Sequence, residues 1–338
     1  MKNKNISVIA ITMGDPGGIG PEVIAKALKK VKPDRACSFL VIGAREPFER
    51  MRKRCGLSVY FREIGDPKRA SLKGGVTYFL DISKELPHGG KFQIGKISRE
   101  NGVMSLVVLE KAAALAKRGI VDAIVTAPVS KAAIRLVDKK FIGHTEFFAQ
   151  KSHTKSFAMM FSSPKLRVTL ATMHVPLKKV SSLLTGKGIL EKILMTDAVL
   201  KDGFGMKKPR IAVCALNPHG KEAGIEEEKK IAPAVRSAKL KGVNVTGPFS
   251  ADQLFHAAYT GKYDALISMY HDQALGPFKM IAFHEGVNMT LGLPFVRTSP
   301  DHGTAFDIAY LGKANPSSTL AALQVACDLV LSRNAHAD

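Results

Sequence analysis

The chain has no tryptophan and only six tyrosines in 338 residues, and cysteine is also scarce. So few large aromatic side chains leave little surface on which nucleic-acid bases could stack. The cysteines form no CxxC pair, which argues against a disulfide framework and against a cysteine-bound zinc. They are scattered along the chain, at Cys37, Cys55, Cys214 and Cys327.

Long apolar runs are missing as well. No run reaches the roughly 18 residues needed to cross a bilayer. The first residues, MKNKNISVIAITMG, contain a short apolar stretch without a signal-peptide cleavage pattern. We therefore expect no membrane span and a cytoplasmic location, with the 46% hydrophobic content forming a sizeable core.

Acidic residues are outnumbered, with 29 against 50 basic ones, so the net charge is +21. Such an excess attracts anions, either nucleic acid or a phosphorylated metabolite. The basic residues occur in short pairs and triples without a dominant tract, which favours the metabolite. A basic nucleic-acid-binding protein built on an enzyme scaffold stays open as the alternative from another class, and it predicts steeply salt-dependent binding.

Strand-like and helix-like stretches alternate along the chain. The apolar run Ile6 to Thr12 is followed by a glycine turn and by Pro21 to Val31, where apolar residues recur at helical spacing. Similar pairs continue to about residue 270. This rhythm predicts an α/β fold with a mostly parallel sheet. The stretch Asp66 to Gly95, rich in Gly, Lys and Pro, is predicted to be irregular.

Three histidines each follow a run typical of a buried strand. Strand ends are where α/β enzymes place chemistry, and three imidazoles without thiolates fit an open site for zinc or another borderline divalent ion. A lone histidine near a strand end is more often a hydrogen-bonded core or surface residue, so spacing alone leaves both interpretations open. The three are His174, His219 and His271.

Two glycine-containing strings are further candidates. GDPGGIGPE, residues 14–22, joins a strand to a helix but lacks the G-x-G-x-x-G order, so it is either an anion-approach site or a tight structural turn. DHGTAFDIAYLGKANPSS, residues 301–318, forms a polar loop in which Asp307 could accept hydrogen bonds from a ribose.

Five strings in order resemble the 4-hydroxythreonine-4-phosphate dehydrogenase family of pyridoxine biosynthesis: GDPGGIGPE, GHTEFFA, NPHG, YHDQALGPFK and GVNMTLGLPFVRTSPDHGTAFDIA. The resemblance implies a two-lobed fold like that of isocitrate and isopropylmalate dehydrogenases, with an interlobe active-site cleft. It implies a nucleotide-binding lobe of residues 1–130 plus 300–338, and a metal, substrate and dimerisation lobe of residues 131–299. It also moves the nucleotide site from the first glycine turn to the loop that starts at Asp301.

The resemblance further implies the site residues. The three histidines would bind a divalent metal, most simply Zn, with Mg, Mn or Co as alternatives, in a homodimer whose active site is shared across the interface and whose third ligand comes from the partner subunit. The substrate-binding residues would be His144, Thr145, Lys279, Asn288 and Arg297. The NAD-binding residues would be Asp301, His302, Gly303, Asp307 and Asn315. Lys279 and Asp272 are the catalytic candidates.

The implied reaction is the NAD- and metal-dependent oxidation and decarboxylation of 4-phosphohydroxy-L-threonine to 3-amino-2-oxopropyl phosphate. The group that takes the hydroxyl proton stays open between metal-bound water, a neighbouring Asp and Lys279. After NPHG the chain reads GKEAGIEEEKK and departs from the family pattern. An alternative substrate is therefore 4-phospho-D-threonate or 4-phosphoerythronate. A metal-dependent phosphohydrolase is disfavoured by the 301–318 loop.

Overall fold

The computed structural model describes residues 6–68, 71–220 and 222–335. The chain forms two compact units, Met1–Thr154 with Leu293–Asp338, and Lys155–Gly292. Residues 131–154 thus belong to the first unit, whereas the sequence-based boundary grouped them with the second. Which unit binds nucleotide and which binds metal stays a prediction.

The strands of the first unit are all parallel. Their order is β3-β4-β2-β1-β5-β12. The central strand is buried along its whole length, as expected for a parallel sheet covered on both faces. The strands are β1 (Ser7–Thr12), β2 (Cys37–Gly43), β3 (Arg62–Glu63), β4 (Thr77–Asp81), β5 (Ala123–Thr126) and β12 (Val296–Pro300).

The second unit has a mixed sheet with the order β11-β6-β7-β10-β8-β9. The neighbours β11, β6 and β7 pair antiparallel, and the pairs from β7 to β9 are parallel. The strands are β6 (Ala158–Ser162), β7 (Arg167–Leu170), β8 (Ile211–Cys214), β9 (Val245–Phe249), β10 (Ala265–Ser268) and β11 (Val287–Leu291).

Several helices begin or end at residues that favour a helix boundary. The first has proline in its first turn, and the third is capped by Ser98, whose hydroxyl accepts from the Asn101 amide. The second ends at Gly56 with φ 63°, a left-handed conformation that glycine adopts at little cost. The helices are α1 (Gly20–Lys30), α2 (Arg45–Cys55), α3 (Arg99–Lys117), α4 (Lys131–Arg135), α5 (His144–Lys151), α6 (Val180–Leu183), α7 (Gly186–Ala198), α8 (Ala232–Leu240), α9 (Ala251–Tyr259), α10 (His271–Ala282) and α11 (Ser317–Ala335).

The α/β class with mostly parallel strands is confirmed. The prediction of an irregular stretch from Asp66 to Gly95 is wrong in part, because it contains the buried strand β4, which pairs parallel with β2. The apolar string VTYFL carried that signal, but the surrounding glycines and lysines obscured it. Within the described ranges, no helix is both long and apolar enough to cross a membrane.

Candidate active site

The three predicted metal ligands follow the carboxyl ends of three neighbouring parallel strands in the second unit. His174 follows β7, His271 begins α10 after β10, and His219 follows β8. Because β10 pairs with both β7 and β8, these strand ends lie at one edge of the sheet. This is the edge where parallel α/β sheets place ligands.

Backbone hydrogen bonds tie the segment before His174 to the segment before His271. The amide of Ala171 donates to the Ser268 carbonyl at 2.7 Å, and the Thr172 hydroxyl donates to the Met269 carbonyl at 2.7 Å. Gln273 extends the connection, because its Oε1 accepts from the Met269 amide and its Nε2 donates to the Ala215 carbonyl after β8. The strand ends are therefore held in a fixed arrangement.

The imidazole rings of His174 and His271 have centroids 5.8 Å apart. Two imidazoles bound to one tetrahedral ion would have centroids roughly 5 Å apart, given metal–nitrogen distances of about 2 Å. His271 Nδ1 lies 2.7 Å from Asp272 Oδ1, an arrangement that orients the ring and leaves Nε2 as the ligand atom. This pair of histidines thus fits one divalent ion.

His219 lies on an exposed turn with φ 53°, a conformation seldom adopted by residues other than glycine. The buried carboxylate of Glu227 stabilises this turn. Its Oε1 accepts hydrogen bonds from the backbone amides of Leu216 and Asn217, at 2.8 Å each. The Asn217 side chain also donates to Glu226 and Glu227. Hydrogen bonds from Ser181 and Asn217 lower the pKa of Glu226 to about 2.

The structure brings together two of the three predicted metal ligands. In the described part of one chain, no group of three His, Cys, Asp or Glu side chains is placed to hold an ion. Sequence reasoning did not identify Glu227 as the residue that holds the His219 turn. Its signal was available, since a run of three glutamates follows NPHG within ten residues.

The first unit brings together the buried guanidinium of Arg297, the half-buried His144 and the exposed Lys131. Arg297 is buried and donates from Nη2 to the Thr126 hydroxyl at 2.7 Å. Burial lowers its pKa to about 9, with Glu146 acting in the opposite direction. His144 Nε2 is buried without a hydrogen-bond partner among the described residues, and burial, Arg297 and Lys131 lower the pKa of its ring.

This cluster has the chemistry of an anion site. Thr145, the next predicted substrate residue, is buried beside His144 at the start of α5. Lys131 and Thr126 were not identified from the sequence. They belong to the segment TAPVSK at the end of β5, so a Ser-Lys pair after a buried strand was the available signal.

The other two predicted substrate residues lie in the second unit. Lys279 is half-buried in α10. Asn288 is in β11 opposite Phe161, and its Oδ1 is buried without a hydrogen-bond partner in the described ranges. A buried amide oxygen of this kind can bind a donor group of a ligand.

The predicted nucleotide residues lie on one loop of the first unit. Gly303, Asp307 and Asn315 are exposed, whereas His302 is half-buried, and this burial lowers its pKa. Asn315 Oδ1 accepts from the amide and hydroxyl of Ser317, so this side chain also shapes the start of α11. The Asp301 amide donates to the Ser318 hydroxyl.

The turn GDPGGIGPE is buried inside the first unit. A Cβ on Gly17 would lie 2.1 Å from the Gln93 carbonyl oxygen, and one on Gly20 would lie 2.1 Å from that of Met13. Its glycines therefore allow backbone segments to pack closely, which supports the interpretation of a structural turn.

These features define an α/β protein with a pair of histidines suited to a divalent ion and a cluster of His144, Lys131 and Arg297 suited to an anion. Residues 35–326 match the family model described as pyridoxal phosphate biosynthetic protein PdxA, and the chain belongs to this family.

Two relatives and one solved structure illustrate the similarity. The chain is 43% identical over 325 residues to the 4-hydroxythreonine-4-phosphate dehydrogenase of Desulforapulum autotrophicum, covering 95% of each chain. It is 39% identical to the D-threonate 4-phosphate dehydrogenase of Salmonella typhimurium, covering 95% of this chain and 98% of the relative. A solved structure from Salmonella typhimurium, described as a 4-hydroxythreonine-4-phosphate dehydrogenase, superposes with a TM-score of 0.84 at 38% identity, covering 96% and 99% of the two chains.

Proposed function

We propose that this protein is an NAD- and divalent-metal-dependent dehydrogenase that oxidises and decarboxylates 4-phosphohydroxy-L-threonine to 3-amino-2-oxopropyl phosphate. The cluster formed by the buried Arg297, the half-buried His144 and the exposed Lys131 carries this proposal. Arg297 and Lys131 both bring positive charge to this cluster, and the buried Nε2 of His144 has no hydrogen-bond partner among the described residues, so a phosphate can be bound there through several hydrogen bonds. A phosphorylated substrate supplies that phosphate.

Each predicted substrate residue has a role that suits its chemistry. Arg297 would bind the phosphate with two parallel donors, and His144 would offer Nε2 as a neutral hydrogen-bonding group, because burial and neighbouring cations lower its pKa. Thr145 and Asn288 would fix the orientation of the substrate through hydrogen bonds. Lys279 would place a further positive charge against the phosphate or carboxylate.

His174 and His271 would hold the metal, with His219 as the third ligand. A divalent ion there would act as a Lewis acid toward the secondary hydroxyl and the carboxylate of the substrate. Asp272 keeps Nδ1 of His271 engaged, so that the metal-facing nitrogen is fixed. Lys279 and Asp272 are the candidates for taking the hydroxyl proton.

The 301–318 loop would bind NAD, which accepts the hydride. The loop fits this group because a Cβ at Gly303 would meet no atom within 4 Å, so the backbone is open to a close approach there. The exposed carboxylate of Asp307 could accept from both ribose hydroxyls, and it would repel a 2′-phosphate, which favours NAD over NADP.

We further propose a homodimer in which the active site is shared. Two of the metal ligands come together within one chain, and the exposed His219 is the candidate for the ligand contributed by the partner subunit. The compartment that suits this enzyme is the cytoplasm, because all four cysteines are unpaired.

A second substrate is retained for a specific reason. The relative from Salmonella typhimurium that is 39% identical acts, by its name, on D-threonate 4-phosphate. This compound offers the same phosphate to the cationic cluster, but it has a hydroxyl in place of the amino group. The two candidate activities therefore differ in the protein contacts to the amino group of one substrate or to the corresponding hydroxyl of the other.

The test is NADH formation at 340 nm with 4-phosphohydroxy-L-threonine and with 4-phospho-D-threonate, each with and without a chelator. Chelator-sensitive turnover of the amino substrate supports the proposal. Turnover of the threonate alone would move the chain to the second activity. No turnover of either compound with Zn, Mg, Mn or Co would refute the dehydrogenase assignment.

A further inference from the structure

The buried turn of residues 14–22 contacts the predicted nucleotide loop at three places. The Ile19 amide donates to the Thr304 carbonyl at 3.0 Å, and the Tyr310 hydroxyl donates to the Pro16 carbonyl at 2.6 Å. The third contact is made by Glu22 at the end of the loop. These contacts precede and follow Asp307, the residue predicted to bind ribose.

Glu22 lies in the first turn of α1 and is 1% exposed. Its Oε1 accepts from the Ala314 amide at 2.8 Å, and its Oε2 accepts from the Gly312 amide at 3.2 Å. A buried carboxylate that receives two backbone amides holds that backbone firmly, because each of these hydrogen bonds is charge-assisted.

Lys26 completes the arrangement one turn later in α1. Its ammonium donates to Glu22 at 2.7 Å, to the Gly312 carbonyl at 2.8 Å and to the Ala314 carbonyl at 2.7 Å. All three ammonium hydrogens are thus used. Glu22 and Lys26 together bind the donor and the acceptor of both loop residues, so the pair recognises the loop backbone and not its side chains.

This recognition matters because the loop needs support to keep its shape. Tyr310 has φ 60° and Gly312 has φ 74°, both in the left-handed region. A tyrosine in that region is strained and persists only where its surroundings fix it. The Pro16 carbonyl holds the side chain of Tyr310 itself, and Glu22 and Lys26 hold the backbone that follows it at Gly312 and Ala314.

We propose that Glu22 and Lys26 act as a clamp that fixes the nucleotide loop in its binding conformation and so sets the affinity for NAD(H). They are positioning residues that do not touch the cofactor. This inference rests on the proposed function, because it takes the 301–318 loop as the nucleotide site. It also assigns the GDPGGIGPE string a role, as the support of the loop.

The first experiment measures NADH binding by calorimetry for the wild-type protein, Glu22→Gln and Lys26→Met. We expect Glu22→Gln to weaken binding on the order of tenfold, since charged hydrogen bonds are replaced by neutral ones. Lys26→Met should weaken it less, by about threefold, because Glu22 still holds both amides. The KM for the phosphorylated substrate should change less than twofold in both variants.

The matched control is Asp197→Asn. Asp197 and Lys201 form another i,i+4 ion pair at 2.7 Å in the second unit, far along the chain from the loop. The same loss of one negative charge there should leave NADH affinity unchanged. An equal loss of affinity in this control would show a general charge effect and would overturn the clamp.

The second experiment needs no cofactor. Hydrogen exchange of the peptide that covers residues 304–316 should be faster in Glu22→Gln than in the wild-type protein, with other peptides of the first unit unchanged. If the wild-type protein binds NADH and both variants show the wild-type affinity and the wild-type exchange rate, the clamp is overturned but the cofactor assignment stands. Absence of NADH binding by the wild-type protein overturns the cofactor assignment and the clamp with it.

Discussion

At the scale of single residues, the most informative side chains are those whose burial is costly. Arg297 is buried with its pKa lowered to about 9, and it lies near His144, whose pKa is also lowered, and Lys131. A core selected for stability alone would replace such a cluster with apolar residues, which often stabilises a protein. In the proposed function, these charges serve to bind the phosphate of the substrate.

Asp15 gives a prediction of pH dependence. It is fully buried after β1, and burial raises its pKa to about 6, although the Gly17 amide, the Ser130 backbone and Asn101 act in the opposite direction. Because the folded-state pKa lies above the unfolded value near 3.8, this group stabilises the fold fully below that value. Its contribution is lost as the pH rises through about 6.

The substitution Asp15→Asn removes the ionised form while keeping the shape. We expect the variant to be more stable than the wild-type protein at pH 8 by up to about 3 kcal/mol, with the difference shrinking toward pH 4. Denaturant unfolding at several pH values measures this. A difference that does not change with pH would show that Asp15 is not the titrating group.

At the scale of elements, strand ends were more predictable from sequence than loop contacts. The buried runs before His174, His219 and His271 were identified as strands, and these strands are neighbours in the sheet. The strand β4 and the Glu227 contact were missed. For β4, the surrounding glycines and lysines obscured the apolar string, and for Glu227, a run of three glutamates does not show which one turns back to the amides of Leu216 and Asn217.

The candidate site shows the same division. The histidines and Arg297 could be predicted from the sequence because the family motifs contain them. The contacts of Lys131, Glu22 and Lys26 could not be predicted from the sequence, since each of these residues acts on backbone groups or charges from another part of the chain. The spacing of residues in the sequence does not predict that Lys26 donates to the carbonyl oxygen of Gly312.

The Glu227 contact gives the prediction at this scale. Glu227→Gln leaves only a neutral oxygen to accept from the amides of Leu216 and Asn217, and it puts a donor where Oε2 accepts from the Asn217 side chain. We expect zinc affinity to fall by about 10- to 100-fold, as for other residues that orient metal ligands. Competition with a chromophoric chelator measures it. The exposed neighbour Glu228, changed to Gln, is the control and should bind zinc like the wild-type protein.

At the scale of the whole molecule, the proposed metal site predicts that the third ligand comes from a partner subunit. His174 and His271 are adjacent within one chain, whereas His219 joins no three-ligand group among the described residues. In a homodimer in which the His219 turn of each subunit lies at the metal site of the other, each site would be completed by His219 of the partner subunit. Subunit mixing can test this directly, because it separates the ligands onto different chains.

Two variants, His219→Ala and His271→Ala, should each be inactive alone, since each lacks one ligand in every site. After mixing and reassociation, a hybrid dimer has one site with His174 and His271 from the first subunit and His219 from the second. Random reassociation makes half of the dimers hybrid, each with one of two sites intact. Activity should therefore return to about a quarter of the wild-type value at equal protein concentration, a consequence of the isologous dimer.

The control is a mixture of His174→Ala with His271→Ala, which must stay inactive because both ligands of the pair are needed on one chain. If the mixture of His219→Ala with His271→Ala also stays inactive, while native mass spectrometry shows that hybrids have formed, then all three histidines belong to one subunit. The turn held by Glu227 would then have to move toward the other two histidines when the metal binds.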